Sequence, residues 1–400
     1  MIMLGAGQDE GKASHNITGN PTIVVDGRML FERGTGVSSY NRSLVHALAG
    51  KGVGVSILAD RTTLKGRTGN RIDRWRRDLR SRFKHGRKVH EHEHDERGRL
   101  LAGYDIFREA QVFFERHGAT MPIRLPQPPG IMHWCFPVPI HAVGWTNIYT
   151  IHDAIPITYP ELTPMDGARY RRRLDAIVRQ AAALITVSDD SASSISAMLG
   201  RDAPPLYNCG LALDVPADST GLPEGLEPGG YFICVGTIEP RKNLERLAAA
   251  YAASGSRRPL MIAGPKGWQA DRLVNQLATI PGVHIMPWLE RPELVSVMRH
   301  ARAVLFPSLA EGFGLPIAES FALDVPVLTS NRGATAEVAG DAALLVDPED
   351  VANMAAGIAL LDQEDALCAS LIKRGRAQVA RFSPEAFADR LIAVYAAHGP

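Results

Sequence analysis

Cysteine is scarce and scattered. The 400 residues contain four, Cys135, Cys209, Cys234 and Cys368, and none of them form a CxxC pair. This argues against a disulfide scaffold or a zinc ribbon and fits a reducing cytoplasm. No run approaches 18 apolar residues, so nothing reads as a membrane span. The polar, Gly-rich stretch 1–21 lacks the apolar core of a signal peptide and reads as a disordered leader. Neither half carries the dinucleotide glycine fingerprint followed by its acidic residue, which disfavours a nicotinamide dehydrogenase. No segment suggests a pyridoxal-phosphate lysine, and no pair of carboxylates stands out as nucleophile and acid.

What is present is a chain of 45% hydrophobic and 22% charged residues, too long for one comfortable core. Strand-like runs alternate with helical ones: Thr22–Asp26, Val53–Leu58 and Thr146–Ile151, with a helix from Ser38 to Leu48. Strands separated by helices imply parallel βαβ units. Residues 22–205 therefore read as one Rossmann-like domain, interrupted by a segment at about 61–130 that has the look of an insertion. The Pro- and Gly-rich stretch 206–230 reads as a linker. Residues 231–380 repeat the strand–helix rhythm as a second domain, and 381–400 form a final helix that could return to the first. The expected class is α/β, with two Rossmann-like domains facing across a cleft. Ligands bind such sheets at the carboxyl ends of the strands, so the residues just after each strand are the candidates.

Strand Tyr231–Val235 ends in Gly236-Thr-Ile-Glu-Pro-Arg241-Lys242-Asn243 ahead of a helix. Gly236 permits a tight turn, and Arg241 and Lys242 near a helix N-terminus would suit an anion such as a diphosphate. A solvated surface pair is the alternative. Strand Ala303–Phe306 leads into Glu311-Gly312-Phe313-Gly314-Leu315-Pro316, and Pro316 suits a first helical turn. Glu319 would then sit near that helix start, either accepting hydrogen bonds from a vicinal diol such as ribose or stabilising the helix.

These stretches, with Ile262–Trp268, Pro326–Ser330 and Glu337–Ala343, occur in one order over 231–348. That stretch resembles the nucleotide-binding domain of family 4 retaining glycosyltransferases, which have the GT-B fold. The resemblance implies a nucleoside-diphosphate sugar as co-substrate, with Lys242 on the diphosphate and Glu319 on the ribose. It also implies Glu311 and the backbone of Gly312, Phe313, Gly314 and Leu315 around the donor sugar, and Trp288 and Leu289 near the base. The chain has Thr237 where many members carry arginine, which leaves Arg241 to supply that charge. The Gly-Thr-Ile-Glu-Pro-Arg-Lys-Asn form is similar to that of mannosyl and related transferases, pointing to GDP-mannose.

In the first half, Gly34 and Gly36 resemble the glycine loop that approaches the diphosphate from the other domain. His152-Asp153 follows strand Thr146–Ile151, and the resemblance implies that His152 contacts the donor sugar or orders the reacting groups. Asp153 would orient that imidazole or cap the turn. The resemblance further implies retention by front-side displacement, with His152, Glu311, Lys242 and Arg241 as the catalytic set and no metal or cofactor. His90-Glu-His-Glu-His94 reads as solvated rather than as a metal site.

Between Arg61 and Lys88 lie twelve Lys/Arg and two acidic residues, a local balance of +10 in a chain of net charge +1. Within it Ile72, Trp75, Leu79 and Phe83 fall at helical spacing, bordered by Arg71, Arg74, Arg77 and Arg80. Such a helix either lies on an anionic membrane surface or packs its apolar stripe on its own domain. No recognisable RNA module is present, and nucleic acid is not an expected partner. The sequence thus points to a cytoplasmic hexosyltransferase acting on a glycan or lipid-linked acceptor in surface polysaccharide synthesis, peripheral on the inner face of a membrane if the basic helix takes the first of those two orientations. A catalytically silent sugar-nucleotide-binding protein and another GT-B enzyme, such as an epimerase, are the alternatives.

Overall fold

The computed structural model describes residues 22–31, 36–61, 71–92, 99–216 and 221–399, with backbone only at Phe31 and 71–74. The leader 1–21 and Gly34 lie outside the described residues, as do the side chains of Arg71, Ile72 and Arg74.

Among the described residues eleven strands belong to the first half: β1 Ile23–Asp26, β2 Val55–Asp60, β3 Arg87–Lys88, β4 His90–Glu91, β5 Arg99–Gly103, β6 Met121–Arg124, β7 Ile131–Trp134, β8 Ile140–Ala142, β9 Thr146–Thr150, β10 Ala183–Thr186 and β11 Leu206–Asn208. Six more follow: β12 Phe232–Val235, β13 Leu260–Ala263, β14 Val283–Ile285, β15 Ala303–Phe306, β16 Val327–Ser330 and β17 Leu344–Val346. The first sheet runs β11-β10-β9-β7-β1-β2-β5-β4 and is parallel except where β4 meets β5. The second runs β14-β13-β12-β15-β16-β17 and is parallel throughout. That second order is the doubly wound 3-2-1-4-5-6 arrangement. A parallel sheet is covered on both faces, which is why Ile-Val-Val-Asp, Phe-Ile-Cys-Val and Ala-Val-Leu-Phe are buried at every position.

Helix starts follow local chemistry. Ser188 caps Asp189–Leu199 by accepting from Ser191 N at 3.1 Å, and Ser383, followed by Pro384, caps the final helix Pro384–His398. That final helix packs on Gly36–Gly50, with Phe387 edge-on to Tyr40 at 5.6 Å and Lys51 paired to Asp389 at 2.6 Å. It also donates Tyr395 to a buried chain: Tyr395 Oη lies 2.6 Å from His133 Nδ1, and Thr150 Oγ1 lies 2.7 Å from His133 Nε2 and 3.0 Å from Tyr40 Oη.

Two boundaries differ from the sequence reading. The segment read as an insertion supplies β5, which pairs in parallel with β2, and leads on to β7, which lies between β1 and β9. Its charge and proline density hid four short strands, β3 to β6, and β7 follows immediately after it. The stretch read as linker from 206 opens with β11, the sheet edge beside β10.

Candidate functional site

The order of each sheet reverses on either side of β1 and β12, and the loops leaving those strands and their neighbours converge. After β12 the chain turns at Gly236, whose φ of 140° excludes ordinary side chains. A Cβ there would stand 3.0 Å from Lys242 Cε, so glycine also makes room for the lysine to fold back. Pro240–Lys242 is a single 3-10 turn, and Asn243, at φ 60°, ties it down by donating to the carbonyls of Pro307 and Pro348. The turn hands over directly to helix Leu244–Ala253.

Glu311 sits at the centre of this arrangement. Its carboxylate accepts from Lys242 Nζ at 2.6 Å and from Arg241 Nη1 at 2.5 Å. Arg241 also bonds Glu239 at 2.7 Å and the Ala310 carbonyl at 2.9 Å, while Lys242 Nζ lies 4.4 Å above the Phe306 ring. Burial works against the charge on Glu311, but the two cations overcome it and hold its pKa down at about 2. Burial likewise opposes the charge on Arg241, and Glu311 and Glu239 hold it above its ordinary value. The sequence set Arg241 and Lys242 apart from Glu311; the structure joins them in one largely buried ion cluster.

Glu319 is placed differently from the expectation. Its helix begins at Leu315, so Glu319 is the fifth residue and lies beyond the first turn. It is buried and bound by Arg291, whose Nη2 donates to Oε1 at 2.5 Å. Arg291 escaped the sequence reading because its partner is 28 positions away. Between it and β14 lie Trp288, half exposed, and Leu289, which packs partly into the core. The ring of Phe313 is buried edge-on against Phe382 at 5.5 Å, which anchors the loop.

The first domain closes the site. His152 Nε2 donates to the Cys135 carbonyl at 2.9 Å, fixing the tautomer and leaving Nδ1 as an acceptor. Burial lowers its pKa to about 4, so the ring is neutral. Asp153 Oδ1 accepts from Ile155 N at 3.0 Å, which answers the turn-capping reading. Burial raises the Asp153 pKa, against the pull of Arg241 across the cleft. Gly312 passes so near that a Cβ on it would stand 2.8 Å from the His152 carbonyl oxygen. Gly36 faces Leu315, whose Cδ1 would be 3.6 Å from a Cβ on that glycine. Two further links span the domains: Ser188 Oγ donates to the Gly312 carbonyl at 2.7 Å, and Glu337 accepts from Asp189 N and Asp190 N at 2.8 and 2.9 Å. A carboxylate at a helix N-terminus is electrostatically favoured. Beside Glu311 opens a cavity of about 130 Å³ lined by Asp153, Thr158, Tyr159, Asp190, Ser191 and Arg332. Trp75, Arg77, Leu79, Arg80 and Phe83 belong to another part of the first domain.

Residues 224–378 match the family described as glycosyl transferases group 1. The O-antigen chain mannosyltransferase B of Escherichia coli is 33% identical over 264 residues, covering 62% of this chain and 69% of that one. The chain belongs to the group 1 glycosyl transferases. Another relative, the serotype-specific mannosyltransferase WbdA of Escherichia coli, is 28% identical over 245 residues, 55% of this chain and 30% of that longer one. Among solved structures, a sucrose-phosphate synthase from Thermosynechococcus elongatus superposes with a TM-score of 0.69 at 19% identity, covering 94% of this chain and 99% of that one. This group 1 glycosyl transferase therefore has the GT-B fold, and the cluster described above lies at the carboxyl ends of the strands of both its domains.

Proposed function

We propose that the protein transfers a hexose, mannose from GDP-mannose, to a hydroxyl of a glycan or lipid-linked acceptor in the assembly of a surface polysaccharide. The mannosyltransferase relatives support the sugar, and the glycine-to-asparagine segment 236–243 supports the nucleotide. The observation that carries the reading is the largely buried Arg241–Lys242–Glu311 cluster facing His152-Asp153 across the cleft.

In this reading Lys242 and Arg241 hold the donor diphosphate and take up the charge that grows on it as the sugar leaves, which is the role a metal would otherwise fill. Glu319, steadied by Arg291, binds the ribose, and Trp288 and Leu289 border the base. Gly36 approaches the diphosphate from the first domain. Glu311 and the 312–315 backbone hold the sugar, and His152 Nδ1 accepts a hydrogen bond from a sugar hydroxyl. The acceptor hydroxyl attacks the anomeric carbon on the face from which the diphosphate departs. One C–O bond forms as the other breaks, the hydroxyl proton passes to a diphosphate oxygen, and configuration is retained. The acceptor enters through the cavity beside Glu311. Its lining carries Asp153 and Asp190, while Arg332 is already neutralised by Asp347 and Glu349 at 2.5 and 3.0 Å, so an uncharged sugar fits better than a phosphorylated one. The protein would work in the cytoplasm, at the inner membrane face.

Thermal shift against GDP, UDP, dTDP and their sugars tests the donor assignment. A ligand at 100 times its dissociation constant adds about 2.7 kcal/mol of stability. GDP-mannose should give the largest shift, and a larger shift with a UDP- or dTDP-sugar would replace that assignment.

A further inference from the structure

The helix Arg71–Ser81 and the turn after it are mounted the opposite way from an ordinary surface helix. Trp75, Leu79 and Phe83, four residues apart, are exposed by 65, 39 and 54%. On the other side of the helix Arg77 pairs with Asp105 at 3.2 Å and Arg80 with Glu109 at 2.9 Å. Both carboxylates are buried, and Arg80 also lies 5.3 Å over the Tyr104 ring. The cations therefore attach the helix to its domain, and the apolar stripe is turned to the outside. Of the two orientations the sequence allowed, the stripe packed on its own domain is the one the structure contradicts. Periodicity could not decide, because Asp105 and Glu109 lie well downstream.

The surroundings of the stripe are cationic. Arg76, Lys84 and Lys88 are exposed, and none is in an ion pair among the described residues. The adjoining sequence 62–70 adds Lys65 and Arg67 and no acid. Aromatic and aliphatic side chains ringed by lysine and arginine suit the boundary between lipid headgroups and acyl chains, where each large side chain leaves water and each cation meets an anionic headgroup. A second copy of the chain fits poorly, since it would bring two like-charged patches together. We propose that this surface docks on an anionic lipid bilayer, with Trp75, Leu79 and Phe83 entering the headgroup layer and Arg76, Lys84 and Lys88 pairing with lipid phosphates.

The mounting is firm. The helix packs on Ile106–His117, where Arg116 bonds Asp78 at 2.6 Å. Ile106–His117 is in turn tied to Gly167–Val178 through Glu115–Arg169 at 2.6 Å. Docking would thus orient the whole first domain, and it does not depend on the identity of the donor.

The test is flotation of the full-length protein with vesicles of phosphatidylcholine alone and of phosphatidylcholine with phosphatidylglycerol. Two variants are compared, Trp75→Ser/Leu79→Ser/Phe83→Ser and Arg76→Gln/Lys84→Gln/Lys88→Gln. Their melting temperatures should match the parent, because the altered side chains are exposed. The parent should float only with the anionic vesicles. The charge variant should lose on the order of a hundredfold in partitioning, about fivefold per cation, and the apolar variant should fail to float. Three results would each overturn the proposal: a folded apolar variant that floats like the parent, equal flotation on both vesicle types, or a parent that does not float and self-associates through this face.

Discussion

Lys242 and Arg241 each hold one oxygen of the same carboxylate, Glu311, at 2.6 and 2.5 Å. The residues proposed for the diphosphate are thus already neutralised by the residue proposed for the sugar. In the proposed reading, a bound diphosphate would exchange one anion for another and free Glu311 to turn towards the hexose.

Glu311→Gln separates these roles. It keeps the shape and removes the competing charge, so GDP without a sugar should bind more tightly, by about tenfold, the worth of one charge-assisted hydrogen bond. Turnover of the sugar nucleotide should fall in the same variant. Calorimetric titration with GDP and initial-rate measurements check the pair, and weaker GDP binding would remove the exchange from the account.

Lys242→Met should fold, because Arg241 remains on Glu311. It should lower kcat by roughly 100- to 1,000-fold, the loss typical of one preorganised donor at a developing charge. Single-turnover rates at saturating donor measure this directly, and a change confined to KM would place Lys242 in ground-state binding only.

Gly312→Ala probes the contact between the domains. The added Cβ would meet the His152 carbonyl oxygen at 2.8 Å and Asp153 Cβ at 3.2 Å. Closure should be held open by a fraction of an ångström, lowering transfer by up to about a hundredfold. GDP affinity, which the proposed site places on the second domain, should hardly change. Rates and titrations on the same preparation distinguish this from simple misfolding.

Stability should fall as acid is added, well before the carboxylates titrate. Burial, aided by neighbouring His152, holds the His133 pKa at about 3. The unfolded chain takes up that proton below about pH 6.5 while the folded one does not, so it binds more protons and stability drops as pH falls from there. A buried neutral histidine removes about 1.4 kcal/mol per pH unit in this range, and His152, held at about 4, acts in the same direction. His133→Gln should be less stable at pH 7.5, having lost part of its tie to Tyr395 and Thr150, but its loss of stability between pH 6.5 and 5 should be shallower. Urea unfolding across that range gives both slopes.

Much of the site was legible because doubly wound sheets deliver ligand-binding residues at strand ends. Arg241, Lys242, Glu311 and His152 all lie in the segments that leave strands whose apolar runs are plain in the sequence. The partners that set their state were not legible. Arg291 on Glu319, Ser188 on Gly312 and Glu337 on the Asp189–Leu199 helix are contacts between distant segments, and no local pattern announces them. Glu319 lies just past the first turn, because the helix begins at Leu315, one residue before the proline that marks its start in the sequence. The exposed face of Arg71–Ser81 was visible as a stripe but not as a direction. β5 and β7 are hard to see in the sequence because a strand of four or five residues, beside a charged stretch for β5 and a Pro-rich one for β7, carries little periodic signal.

The central claim is transfer of a hexose from a nucleoside diphosphate by the Arg241–Lys242–Glu311 site. The most direct measurement is release of nucleoside diphosphate from GDP-mannose, and in parallel from UDP- and dTDP-sugars, with and without mannose-terminated oligosaccharide acceptors. The account predicts acceptor-stimulated release of GDP with an extended oligosaccharide as the other product, both abolished in Lys242→Met. Folded protein that binds a sugar nucleotide yet releases no diphosphate from any of them, with any acceptor, would contradict it and favour a silent binding protein.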